Sequence, residues 1–205
     1  MAPVDSKQHG RWILLHVLVG GAAGGAAAAF LHALHWVTNL REAHPALIYS
    51  LPLAGFLIGA IYWHFGKDAA GGNTLITEEI HEPRKILPLK MAPLVFLGTL
   101  LTHLCGGSAG REGTVVQMGA SLADQLGSLF RTTAEQRKIL LTAGAGAGFG
   151  AALGAPLAGI VFGMEVIHRG KFKPFGVLEC AIASLVAFLV KKLLAAPHSA
   201  FLISG

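Results

Sequence analysis

The stretch Gly106-Gly107-Ser108-Ala109-Gly110-Arg111-Glu112-Gly113-Thr114-Val115-Val116-Gln117-Met118-Gly119 sets an arginine and a glutamate side by side between glycines. An apolar run precedes it, and a helical pattern bearing glycine and alanine follows. Gly106 to Gly110 has too little side chain to fix its backbone, so it can turn sharply and bring its amides up to a small ligand. Beyond it Val115, Val116, Met118 and Leu122 recur at helical spacing, which predicts a helix opening at Arg111 or Glu112. A helix start carries free N–H groups and positive dipole charge, and together they make an anion site. At membrane depth, where water is scarce, such amides hold an ion strongly. Glu112 is then a carboxylate beside an anion site, able to occupy it or to take a proton and swing away, as a gate does.

Composition says where such a site would lie. Of 205 residues, 53% are hydrophobic and only 13% charged, with a mean hydropathy of +0.59. These values exclude an ordinary soluble domain and predict an all-α, polytopic membrane protein. Trp12 to Trp36 contains no formally charged residue and is bracketed by tryptophans, as an interfacial span often is. Its length, and the polar start holding Asp5, Lys7, His9 and Arg11, argue against a cleavable signal peptide. The net charge of +5 is expected in solvated flanks and short loops: Lys7 and Arg11, Arg84 and Lys85, Arg131 with Arg137 and Lys138, and Arg169 with Lys171 and Lys173. That distribution reads as membrane-flanking charge, not as a nucleic-acid surface. Cys105 and Cys180 each lie in an apolar segment and read as packed thiols.

In chain order, Thr38 to Pro45 reads as a polar turn and Ala46 to Phe65 as a second uncharged span, with Pro52 as a kink inside it. Gly71-Gly72-Asn73-Thr74, with Glu78 and Glu79 in the next turn, reads as a helix start with capping side chains and a second anion cradle. Ile86 to Cys105 is apolar again. The central stretch opens a short helix to about Phe130, Ser128 to Lys138 is a polar connector, and Ile139 to Ile167 is rich in small residues. Pairs four apart, Gly144 with Gly148 and Gly150 with Gly154, allow close helix contact. Pro156 predicts two helices there, not one. Phe175 to Leu194 is a final span. Asp124 and Gln117 are read as interhelical hydrogen-bonders.

Gly110-Arg111-Glu112-Gly113 followed by Val116-Gln117-Met118-Gly119 resembles the G-[KR]-E-G-P-x-V-Q-x-G motif of CLC chloride channels and proton-coupled transporters. Ala155-Pro156-Leu157-Ala158-Gly159 resembles that family's N-A-P-L-A-G segment, in the same order along the chain. The resemblance implies a CLC-type first inverted repeat, residues 1–205, with tilted, broken and re-entrant helices and with the second repeat outside this chain. It implies Glu112 as the gating and proton-exchanging glutamate. Gly110, Arg111, Gly113 and Thr114 would line an outer anion site by their backbone, and Asn73, Thr74 and Leu75 an inner one. Thr114 stands where chloride carriers have proline, and Gly72-Asn73-Thr74-Leu75-Ile76 where they have G-S-G-I-P. Both departures resemble the fluoride-exporting branch, in which Asn73 or Thr74 takes the place of the filter serine. Val166 falls where chloride/proton exchangers carry an inner proton-relay glutamate, one residue after Glu165.

The function so implied is fluoride export by fluoride/proton antiport across a bacterial inner membrane. Chloride conduction or chloride/proton exchange is the alternative. The partners implied are a small inorganic anion, protons, the lipid bilayer and a second copy of the chain, through the helices holding Gly154 to Glu165 and Phe175 to Leu194. No cofactor is expected, and no metal, since His32 and His35 have no carboxylate or cysteine at ligand spacing. Two other classes compete. Gly106-Gly107-Ser108-Ala109-Gly110 fits the G-x-S-x-G pattern of a serine nucleophile, and the glycine-rich face alone would suit a non-transporting scaffold. Arg111 reads as a structural partner or an electrostatic lure for anions, and Glu165 as a helix-terminal carboxylate.

Overall fold

The computed structural model describes residues 6–166 and 176–197, with the side chains of residues 6–8 and of Val166 left aside. The expected charges at Lys7, Arg169, Lys171 and Lys173, and the side chain read at Val166, therefore lie outside the described residues. Within them all regular structure is helical: α1 Ser6–Ala43, a 3-10 turn Pro45–Ser50, α2 Leu51–Phe65, α3 Gly72–His81, α4 Met91–Leu104, α5 Arg111–Leu129, α6 Ala134–Leu153, α7 Pro156–Val166 and α8 Val177–Leu193.

Helix α1 is longer than the Trp12 to Trp36 reading, at 38 residues, and it absorbs most of the turn expected from Thr38 to Pro45. At 1.5 Å per residue it rises about 57 Å, nearly twice the roughly 30 Å of a hydrocarbon core. It therefore runs obliquely or projects beyond that layer. One stripe of it is buried, Leu15, Val19, Ala23, Ala27, Phe30, Leu34 and Val37, at the spacing a single helix face requires. Against α8 the contact is closer still: a methyl group on Gly24 would stand 2.5 Å from the carbonyl oxygen of Ala187.

Pro52 is not a kink. It lies in the first turn of α2, where its missing N–H has no helical partner to lose. Helix α2 packs chiefly on α4 and leaves Leu53, Phe56, Leu57, Trp63 and Phe65 exposed. Residues His9–Ala43 and Pro45–Phe65 are each long and apolar enough to cross a membrane.

Helix α6 is the centre, packed by α1, α5, α7 and α8, and every residue from Leu140 to Gly148 is buried. The small residues make this possible. A methyl on Gly119 of α5 would run into the carbonyl of Gly144, and one on Gly148 into that of Val115, so α5 and α6 meet backbone to backbone. The break predicted by Pro156 is present: Gly154 takes a left-handed conformation with φ 69° after α6, and Pro156 opens α7. The polar connector is shorter than Ser128 to Lys138. Thr133 Oγ1 accepts from the Gln136 amide at 3.3 Å while Gln136 Oε1 accepts from the Thr133 amide at 3.0 Å, a capping box that starts α6 at Ala134. Both cysteines are buried free thiols, Cys105 and Cys180.

Candidate functional site

The opening of α5 follows from how α4 ends. Gly106 is left-handed at φ 79°, its amide donates to the His103 carbonyl at 3.0 Å, and the Gly107 amide donates to that of Thr102 at 2.8 Å. These two amides close α4 in a Schellman arrangement, so the glycines read as an anion cradle serve the preceding helix. The chain then runs through Ser108 and Ala109 to Gly110, which is extended and caps α5 without any side-chain hydrogen bond. The amides of Arg111, Glu112 and Gly113 consequently have no carbonyl within the helix to bond. The side chain of Thr114 points away from them. Its Oγ1 is 2.7 Å from Thr99 Oγ1 of α4 and donates to the Gly110 carbonyl at 3.2 Å, and the residue is buried. Thr114 thus shapes the helix start from behind.

The opening of α3 lies beside that of α5. Gly71 caps it, with no side-chain hydrogen bond from Asn73 or Thr74, so the expected capping side chains do not cap. They are the second and third residues of the helix instead. The Gly72 amide donates to Ala69 and the Thr74 amide to Gly71, each at 3.1 Å. The carboxamide of Asn73 reaches α5: a methyl on Gly113 would be 3.3 Å from Asn73 Nδ2, and one on Gly72 would be 3.4 Å from Gln117 Nε2. Thr74 diverges from this junction and lines a separate cleft with Thr77, Glu78 and His81. Leu75 is partly buried against the cluster holding Ile76, Val116 and Ala120.

Glu112 opens into a cleft of about 530 Å³ whose wall includes His35 of α1, His103 at the end of α4, and Ser108, Gly110 and Arg111. Its Oε1 accepts from Arg111 Nε at 3.3 Å, with the two side chains 40% and 28% exposed. Arg111 is thereby a partner of the carboxylate. Ser108 lies between two helices, whereas a G-x-S-x-G nucleophile sits on a strand-to-helix turn. His103 bonds the Thr99 carbonyl and His35 bonds Asn39. Glu165 is exposed near the end of α7.

Arg137 is not solvated flanking charge. It donates to Asp124 Oδ1 at 2.6 Å and Oδ2 at 2.8 Å, to Glu79 Oε2 at 2.9 Å and to the Lys85 carbonyl. Glu79 also accepts from the Arg84 amide at 2.8 Å, and Asp124 from the Leu87 amide at 2.7 Å. The node ties the last turn of α3 to α5, α6 and the segment between α3 and α4, and so fixes the direction in which the α3 start points. Asp124 is an interhelical hydrogen-bonder, as read. Neither Arg137 nor Thr99 stood out in the sequence. The one available signal was a buried-type position, since Arg137 precedes the apolar Ile139 run by less than a turn.

Residues 54–204 match the sequence model of a family described as voltage gated chloride channel. The chain is 46% identical over 193 residues to the chloride/fluoride channel protein of Pseudomonas syringae pv. tomato, covering 94% of this chain and 43% of that protein. It is 36% identical over 167 residues to the H(+)/Cl(-) exchange transporter ClcA of Cronobacter sakazakii, covering 75% of this chain and 36% of that protein. The crystal structure of a CLC-type fluoride/proton antiporter superposes with a TM-score of 0.90 at 32% identity, covering 96% of this chain and 50% of that one. The chain spans half the length of these relatives or less. With its family model matched over most of its length and its fold reproduced in a solved antiporter, the chain belongs to the voltage-gated chloride channel, or CLC, family of integral membrane channels and transporters.

Proposed function

We propose that this chain is the first of two inverted repeats of an anion transporter that exports fluoride in exchange for protons, with Glu112 as the gating and proton-exchanging carboxylate. The observation that carries the reading is the meeting of two helix starts: the Asn73 carboxamide of α3 stands against Gly113 of α5, where an added methyl would lie 3.3 Å from Asn73 Nδ2. Both starts lack capping side chains, which leaves their positive ends uncovered and the first-turn amides of α5 without a helical acceptor. A small, strongly hydrated anion leaves water only where donors replace its lost hydrogen bonds. The Asn73 carboxamide and the amides of Glu112 and Gly113 are such donors. Of the two candidates for the filter position, the approach to Gly113 favours Asn73 and the divergence of Thr74 disfavours it.

The cycle follows from electrostatics. Ionised Glu112 competes with the anion for the same positive helix end, and protonated Glu112 does not. Anion and proton therefore take turns. Exposed Leu157 and Val161 on α7, with Leu185, Leu189 and Leu193 on α8, support a homodimer through those helices. The bacterial relatives support an inner-membrane location. Chloride/proton exchange by the same parts is the second reading, favoured by the similarity to ClcA.

The test is the intact protein reconstituted in liposomes. Fluoride is expected to leave far faster than chloride while protons move the opposite way, and Glu112→Gln is expected to abolish proton movement. A fluoride electrode that stays flat while chloride flows would remove the fluoride assignment and leave the chloride reading.

A further inference from the structure

We propose that His103 is the proton relay that loads and unloads Glu112 from the aqueous side of the cleft. This rests on the reading of Glu112 as a proton-exchanging gate. A gate carboxylate that titrates once per cycle needs a group that collects protons and delivers them to it. Among the described residues, the ionisable ones lining the cleft are His35 from α1, His103 from α4, and Arg111 and Glu112 from α5. Arg111 donates to Glu112 Oε1 at 3.3 Å, and its guanidinium has no proton to trade. His35 is the other imidazole, but Asn39 Nδ2 donates to its Nε2 at 3.1 Å, which occupies that nitrogen as an acceptor.

His103 is held differently. Its Nδ1 lies 2.9 Å from the carbonyl oxygen of Thr99. A carbonyl only accepts, so Nδ1 carries the hydrogen and Nε2 is the nitrogen at which a proton is gained and lost. Thr99 also holds Thr114 by its hydroxyl, at 2.7 Å, and Thr114 donates to the Gly110 carbonyl that caps α5. The imidazole is thus held on the backbone of the same residue, Thr99, whose hydroxyl braces the α5 start through Thr114 and Gly110, so imidazole and gate are anchored to packed helices while the Glu112 side chain moves. In the step itself, a hydronium in the cleft gives its proton to Nε2, leaving water and an imidazolium. The imidazolium passes the proton through cleft water to a Glu112 carboxylate oxygen and returns to neutral imidazole, and the carboxyl leaves the anion site. Unloading is the reverse.

The experiment compares wild type, His103→Asn, His103→Ala and Glu112→Gln in the intact reconstituted protein. Asparagine places an N–H where Nδ1–H stands, so it keeps the bond to Thr99 without a titrating nitrogen. His103→Asn is expected to bind fluoride as wild type does by calorimetry, to slow fluoride-driven proton movement about tenfold, and to flatten its dependence on pH at the cleft side. His103→Asn with wild-type proton rate and pH profile would overturn the proposal, as would loss in His103→Ala fully restored in His103→Asn, since both mark a merely structural histidine. A Glu112→Gln protein that still moves protons would instead overturn the gate reading, and this inference with it.

Discussion

Arg137 and Asp124 are joined by two parallel hydrogen bonds, Nε to Oδ1 at 2.6 Å and Nη2 to Oδ2 at 2.8 Å, with side chains only 12% and 1% exposed. Removing the guanidinium leaves two buried carboxylates, Asp124 and Glu79, without their counter-charge. Arg137→Gln is expected to lose roughly 3–5 kcal/mol of stability, read as a lowered unfolding midpoint in detergent. Arg137→Lys is expected to fall between, because a single ammonium cannot reproduce the planar two-bond pairing to Asp124 and still reach Glu79. An Arg137→Gln protein as stable as wild type would mean the node is relaxed by water.

The α5–α6 seam predicts a steric series. A methyl on Gly144 would stand 2.5 Å from the Ala123 methyl and equally close to the Gly119 carbonyl. Backbone cannot yield there as a flexible side-chain tip can. Gly144→Ala is expected to destabilise by about 1–3 kcal/mol, and Gly144→Val by more. Gly25, which has open space at its Cβ position, serves as the control; Gly25→Ala in mid-helix is expected to be neutral or slightly stabilising.

At the helix junction the prediction is asymmetric. Asn73→Ala removes a donor beside Gly113 and is expected to weaken fluoride binding by about tenfold or more, the weight of one hydrogen bond to a charged group. Thr74→Ala is expected to leave it within about twofold, since Thr74 lines the other cleft. Calorimetric titration of both variants checks this. Equal losses would mean that both side chains serve the anion.

A fourth prediction concerns pH. Lys90 Nζ donates to Asp68 Oδ1 at 2.8 Å, and this bond holds the Asp68 carboxyl below its ordinary value. The folded state therefore releases this proton more readily than the unfolded chain. The contact's stabilisation is complete above the usual carboxylate range and is lost as pH falls through it. Both side chains are about half exposed, so the effect is small and screened by salt. Asp68→Asn is expected to remove that acid-side loss while leaving stability in neutral solution nearly unchanged, as followed by unfolding at stepped pH.

Much of this was legible before any coordinates. Gly110-Arg111-Glu112-Gly113 announced a helix start, and α5 opens at Arg111. Pro156 announced a break, and α6 and α7 separate there. These are local effects of single residues on backbone, which sequence displays directly. What was hidden depends on partners distant in the chain. Arg137 looked like a loop cation because its partner Glu79 is 58 residues away. Asn73 and Thr74 were indistinguishable by composition, and only the docking of α3 on α5 separates them. Within Gly106 to Gly110 the sharp turn is present, but the amides of Gly106 and Gly107 close α4, because a left-handed turn ending one helix and a cradle opening the next use the same residue.

The clasp of α3 by Arg137 also sets an order of assembly. Ten residues long and bearing two glutamates, α3 has neither the length nor the apolarity to partition into lipid alone. Its fastening residue is made 58 positions later than Glu79. During synthesis α1 and α2 can take up their places while α3 waits undocked, and the contact of Asn73 with Gly113 is secured only when the head of α6 has left the ribosome.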